Sequence, residues 1–424
     1  MGPVPCFDAG VAVDVVVRPD QVTFGVLVAA VGRDVIDGVV AAHGVGPKRS
    51  DGKLPAHVTA YLTMALTLFP DDDYEEVAAK VTGSLSRFGC WDASWSVPTA
   101  SGITQARKRL GPEVMRDIFE GVAAPVATTF TRGAWVRGWR VLAIDGFEVD
   151  VADTEANAGQ FAHSGASTQF TPAYPKARVV ALAECGTHAF LGAEVDSATV
   201  SERALAQKLY PRLRPDELLT ADRNFYSFTD WFQAAATGAA LLWRAPTGLG
   251  LSVVHVLADG TYLSALINPK YRPARRERLL ADARNGIVLD PKDGCLVRVI
   301  EYDVPDRPGS GDLIVLLTTI LDPGDARADD LAAAYHQRWE EESAFDELKT
   351  HLRGPGKILR SRLPELVYQE IWAWLITHYA IAVLIARAAE AADLDPDRIS
   401  FIRVLRLVRR SVTGTADIPP SGLG

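Results

Sequence analysis

Cysteine is scarce and scattered: Cys6, Cys90, Cys185 and Cys295 are the four in 424 residues, and no two stand at CxxC spacing. That excludes a zinc knuckle and a disulfide framework, and leaves four free thiols expected in a reducing, cytoplasmic setting. A basic excess is missing as well, with 44 Lys and Arg against 53 Asp and Glu and a net charge of -9. Over the whole chain that balance argues against nucleic-acid binding, because neutralising phosphates takes Lys and Arg. No apolar run reaches the roughly 20 residues of a membrane span. The longest, residues 371–386, has 16, with His378 near its centre, and is expected as a helix buried in a core, with no membrane partner. The N-terminal stretch has no basic leader, and Asp8 and Asp14 interrupt it, so no secretory signal is expected. Repeats and low-complexity tracts are absent too, and 48% hydrophobic with 23% charged residues describes ordinary globular material.

The length exceeds the about 250–300 residues at which single cores stop growing, so appended or inserted modules are expected. Residues 1–130 read as an all-helical N-terminal domain. Within it, 22–44 and 55–69 read as helices, the second almost wholly apolar and stopped by Pro70; a further helix begins after Asp73 with Glu75 and Glu76 in its first turn, where the helix dipole favours acids. Residues 131–245 change character: β-branched runs punctuated by Gly and Asp alternate with helical segments, the pattern of an α/β domain with a mixed sheet. A β-rich stretch fills 246–322, with one helix expected near 275–283. Residues 323–390 turn helical again, and 391–424 form a basic tail.

Three acidic positions stand out. Asp145 follows the apolar run RVLAI and is expected to end that strand, with Gly146 turning the chain away; Asp222 follows LLTA in the same manner. A carboxylate at a strand exit has a rigid backbone behind it and solvent in front, the setting of a metal ligand. In the late helical segment, Tyr335, Arg338, Glu342 and Lys349 stand at offsets 0, 3, 7 and 14. On a continuous helix at about 100° per residue these fall near 0°, 300°, 340° and 320°, one narrow stripe, with Asp346 near 20° as a geometric rival to Glu342. Three carboxylates brought together repel one another, and divalent cations with all-oxygen ligands relieve that repulsion.

The spacing Y-x2-R-x3-E-x6-K resembles the signature of IS4-type DDE transposases. AIDG, DTEAN, ARVVALAECGTHAFLGA, TADRNFYS and LRSRLPELVYQEIWAW resemble the same family in the same order, and YLTMALTLFPDDDYEEV resembles its helical N-terminal domain. The likeness runs over residues 22–390. It implies an RNase H-like core interrupted by a β-rich insertion, which agrees with the 119 residues between Asp222 and Glu342. It also implies a triad of Asp145, Asp222 and Glu342 holding two Mg²⁺ or Mn²⁺ ions. The activity implied is cut-and-paste transposition on double-stranded DNA: cleavage at terminal inverted repeats, then joining of the 3'-hydroxyl to target DNA within a dimeric synaptic complex. Tyr335, Arg338 and Lys349 would meet backbone phosphates, and Trp339 a flipped base. The strand DLIVLLTT carries Ile314 where a hairpin-forming relative has a stacking Trp, a departure that leaves open whether a hairpin intermediate forms. A catalytically idle DNA-binding relative and an RNase H-fold nuclease without strand transfer are the alternative readings.

Basic stretches answer the objection from net charge. Five Lys or Arg and no acid lie in 349–362, and again in 398–410; Arg132, Arg137 and Arg140 precede the first acid, and KYRPARRER lies in the insertion. Arg107, Lys108, Arg109, Arg275, Arg276 and Arg353 are the positions expected to contact DNA.

Overall fold

A largely apolar run from Trp139 to Asp150 forms the long strand β2, third from one edge of a ten-stranded mixed sheet. The structure, a computed structural model, describes residues 30–45, 54–85, 97–163, 173–303, 313–354 and 356–413; the side chains of 82–85, 339–342 and 412–413 lie outside that description, as do Cys6 and Cys90. A short β1 (Trp135–Val136) pairs with the start of β2. On one side β3 (Lys176–Glu184) and β4 (Phe190–Ser197) continue antiparallel. On the other, β5 (Glu217–Ala221) and β6 (Ala240–Arg244) run parallel to β2. Parallel neighbours need crossovers, and α7 (Glu202–Leu209) and α8 (Phe228–Ala235) supply them.

The second β-rich stretch does not form a sheet of its own. Its strands β7 (Val253–Val256), β8 (Tyr262–Ile267), β9 (Gly294–Tyr302) and β10 (Ile314–Thr318) extend the first sheet, because β10 pairs antiparallel with β6. Without β10, β6 would present an unpaired backbone edge. The helix expected near 275–283 is α9, Pro273–Arg284.

Ahead of the sheet come α1 (Arg33–Ala42), α2 (Ala56–Leu68), α3 (Tyr74–Leu85), α4 (Ala100–Leu110) and α5 (Pro112–Val122), with α6 (Glu155–Phe161) following β2. Helix α2 is buried from Val58 to Leu68, as a helix apolar on all sides must be. Its main partner is α12 (Pro364–Ala391), the long apolar helix. At 28 residues α12 outruns the 16-residue stretch read from the sequence and is long and apolar enough to cross a membrane, yet 83% of its most apolar window is buried inside the protein. One cluster joins α1 to α5, α12 and the Phe147 end of β2, so the N-terminal helices and the sheet share a core.

One strand boundary differs from expectation. β2 does not end at Asp145: it runs on to Asp150, because β3 pairs with it throughout, Asp145 facing Ala181 and Gly146 facing Val180. Gly146 serves close approach rather than a turn. A Cβ there would meet Glu202 Oε1 at 2.9 Å and its Cγ at 3.1 Å.

Candidate active site

The sheet register brings two acids side by side. Val141 pairs with Leu218 and Ala143 with Thr220 across parallel β2 and β5, and the ladder stops at Ile144 and Ala221. Asp145 and Asp222 are the next residues. Side chains alternate along a strand, so both acids leave the sheet on the face of Val141, Ala143 and Leu218, where Leu331, Ala334 and Tyr335 of α10 (Ala328–Gln337) pack. Leu142, Ile144, Leu219 and Ala221 face the other way, against Leu205 and Trp231. β5 gives out at Ala221 while β2 continues, so the acids lie where one strand of the pair has ended. Each is held by a backbone N–H: Gly146 donates to Asp145 Oδ1 at 2.8 Å and Asn224 to Asp222 Oδ1 at 2.5 Å.

The late helical segment crosses this face, but not as one uninterrupted α-helix. A turn at Arg338 separates α10 from α11 (Trp339–Asp346), and Glu347–Leu352 widens into a π-helix. Arg353 N donates to Leu348 O, five residues back, at 3.1 Å. The single helical wheel therefore does not describe residues 335–349. Even so, three of the four side chains arrive where it put them, because they step along β2. Tyr335, 3% exposed, joins the cluster of Val141 and Ala143. Arg338, 7% exposed, sets Nη1 at 3.4 Å from Asp145 Oδ2. Lys349 Nζ lies 5.4 Å from the ring centre of Phe147, which shares the face of Asp145, and 5.8 Å from that of Phe345. Glu342 and Trp339 sit in α11, which packs on β2 and β3; their side chains are outside the described residues. The rival Asp346 accepts a hydrogen bond from Thr350 Oγ1 at 2.5 Å, pairs with His351 at 3.3 Å and lines a cavity with Asp397 and Phe401.

Two groups escaped the sequence reading. Glu202, the first residue of α7, lies over Gly146 on the far side of the strand. Burial, reinforced by Asp145, Glu148 and Asp222 against the pull of Arg178, pushes its carboxyl above the ordinary range. The second is Glu347, held between His188 Nδ1 at 3.2 Å and His378 Nε2 at 3.1 Å. Neither has a sequence signal, since the partners are brought together only by the fold.

The basic positions divide sharply. Lys108, Arg109, Arg275 and Arg276 are exposed, although Arg275 pairs with Asp293 at 2.9 Å and lies 3.7 Å over the Tyr271 ring. Arg107 is 1% exposed and donates to Tyr74 Oη, Gln369 Oε1 and Leu366 O; it joins α4 to α12 and presents nothing to DNA, so that expectation is corrected. Arg353 folds inward, its guanidinium 5.9 Å from the Trp374 ring centre with Nε and Nη1 buried, and burial pulls its pKa down. Arg140 pairs with the buried Glu184. Arg360 donates to the carbonyls of Leu66, Phe69 and Asp72, and Arg409 to that of Leu68, satisfying groups that a helix C-terminus leaves unpaired.

Residues 137–379, more than half of the chain, match the family model of the transposase DDE domain, and residues 21–120 match that of the insertion element 4 transposase N-terminal region. The chain belongs to the IS4-type DDE transposases. Its core is accordingly RNase H-like, and the family's chemistry uses divalent metal ions. The chain is similar to the transposase InsG for insertion sequence element IS4 of Escherichia coli (strain K12), with 27% identity over 317 residues, covering 73% of this chain and 66% of that one. It is also similar to the putative transposase InsZ of the same organism, 28% identical over 137 residues, covering 32% and 46%. The matches thus span less than two thirds of the length of either curated relative. Among solved structures, a piggyBac transposase synaptic complex with hairpin DNA aligns with 92% of this chain and 79% of its own at 9% identity and a TM-score of 0.46.

Proposed function

We propose that this DDE transposase catalyses cut-and-paste transposition, cleaving DNA at the terminal inverted repeats of its element and joining the freed 3'-hydroxyl to target DNA. The observation that carries the reading is the placement of Asp145 and Asp222 on one face at neighbouring positions of parallel strands, beneath the segment bearing Glu342. Strands in such a pair lie about 4.8 Å apart, so the two carboxylates repel unless a cation lies between them. The donors are hard oxygens suited to Mg²⁺ or Mn²⁺. Among the described residues no group of three His, Cys, Asp or Glu forms a metal cluster; the third ligand in this reading is Glu342. Two bound ions would activate the attacking oxygen and stabilise the leaving one.

The chain's own residues do the rest. Backbone N–H groups fix the Asp145 and Asp222 carboxylates, which limits reorganisation when a cation arrives. Arg338 partly neutralises Asp145 in the free protein and offers a planar fork to a phosphate beside it; Lys349 adds a point charge two positions along the same face. Exposed Lys108 and Arg109 on α4 meet the duplex of the terminal repeat, and Arg275 and Arg276 the flanking strand. Two copies pair the two ends, in the cytosol where the DNA lies.

The test is a cleavage and joining assay on the DNA that flanks the coding region. Mg²⁺-dependent cutting at the repeats, followed by joining of pre-cleaved 3'-ends to a plasmid, is the expected result. End binding without cutting in either Mg²⁺ or Mn²⁺ would make the protein an idle relative, and cutting without joining a nuclease.

A further inference from the structure

The segment that carries Glu342 is anchored by a second set of groups besides the acids. Glu347 Oε1 meets His188 Nδ1 at 3.2 Å and Oε2 meets His378 Nε2 at 3.1 Å, while His188 Nε2 lies 3.2 Å from Asp397 Oδ1. The four groups come from four places: the β3–β4 turn, the π-helix, α12 and the segment before α13 (Phe401–Thr413). His378 is fully buried, its ring 4.6 Å from that of Phe190 and 5.3 Å from that of Phe401. His188 takes a left-handed φ of 59°, a conformation that costs a non-glycine residue free energy and persists only where surroundings enforce it. Beside this bridge Ser343, Asp346 and His351 border a cavity of about 690 Å³, so close packing does not hold the rotation of the segment on that flank.

The π-helix begins at Glu347 itself. A π-turn holds about one residue more than an α-turn, so the place where it begins sets the angle between Glu342 before it and Lys349 within it. We propose that Glu347 is a positioning residue for strand cleavage: its two-histidine bridge fixes the π-turn, and through it holds Lys349 on the face of Asp145. Lys349 is two residues from Glu347, and its ammonium rests over Phe147, which places the far end of this lever beside the acids. The proposal rests on the DDE reading above.

The experiment compares E347Q, K349M, the double variant and D145N as full-length proteins on labelled end DNA, in single-turnover cleavage followed for hours, with end-binding affinity measured in parallel. E347Q should cleave about tenfold or more slowly while binding end DNA within about twofold of wild type. In the K349M background the same change should cost less than about twofold, since the residue it positions is gone. A purely structural role would give the same loss in both backgrounds, and that result, or E347Q cleaving at the wild-type rate, overturns the proposal. If D145N cleaves normally, the DDE reading falls and takes the proposal with it; if D145N is inactive and E347Q normal, the proposal alone falls. Should E347Q not fold, H188Q removes one arm of the bridge and should follow the same pattern with a smaller loss.

Discussion

Two carboxylate settings meet one helical segment, and they are built on opposite principles. Glu347 is saturated: burial alone would push its carboxyl up, but the hydrogen bonds from His188 and His378 reverse that and bring it to about 2. Burial likewise opposes charge on His188, and its pairing with Asp397 and Glu347 raises it to about 10. In the other setting Asp145 and Asp222 stand next to each other with Arg338 at 3.4 Å from Asp145, and that face brings them a second acid where Glu347 receives a second base. A fully compensated acid is a structural joint; two acids at neighbouring strand positions repel each other, which is the ground for the proposed cation site.

The largest break in the comparison comes from the acids themselves. D145N or D222N should lower cleavage by about a thousandfold or more, in keeping with loss of a metal ligand, while end binding stays near wild type. Cleavage reduced less than about tenfold in either would remove that residue from the triad. R338A should lose on the order of a hundredfold in single-turnover rate, and R338K should recover only part of it because a point charge lacks the fork; full recovery by Lys would mean that charge alone matters. The E347Q loss, smaller again, reports on the joint.

Stability separates the settings in another way. R107L strips partners from Gln369, Tyr74 and the Leu366 carbonyl, each unsatisfied buried group costing about 1–3 kcal/mol. Urea unfolding should therefore shift for R107L and not for K108A, with end binding affected in the opposite order. The smallest effect is pH-dependent. His188 is raised from 6.5 to about 10 in the folded protein, so its contribution is complete below its unfolded value and is lost as pH rises toward the folded one. Glu347, lowered from 4.5 to about 2, contributes above its unfolded value and loses this as pH falls. The bridge is fully stabilising between those unfolded values, and the stability difference between wild type and H188Q should narrow from pH 6 to pH 9. A constant difference would mean that the imidazole acts there by packing alone.

Much of the plan is legible in the chain. Alternating β-branched runs and helical segments announce the mixed sheet, and RVLAID and LLTAD announce two acids on rigid strands, because local propensity and fold agree there. The Y-x2-R-x3-E-x6-K spacing leads to the face of Asp145 although the helix it assumes is broken, since Tyr335, Arg338 and Lys349 each find a separate anchor along β2. The role of each arginine is not legible. Arg107 and Lys108 are adjacent and chemically alike in the sequence; one is enclosed by α12 and the other exposed, a difference set by a helix some 260 residues later. The same holds for the bridge, where Glu347 and His188 are 159 residues apart. The end of β2 escaped for a related reason: Gly146 suggests a turn, but its missing side chain makes room for Glu202.

The carbonyls at the end of α2 impose an order on synthesis. They are met by Arg360 and Arg409, with 341 positions separating Leu68 from Arg409, a stretch that takes about 20–70 s to make at ordinary translation rates. The N-terminal helices are thus exposed on the ribosome with their last turn unfinished, and protease should cut ribosome-bound chains there but not released ones. The N-terminal helical layer thus acquires its last side-chain partners only when almost the whole polypeptide exists.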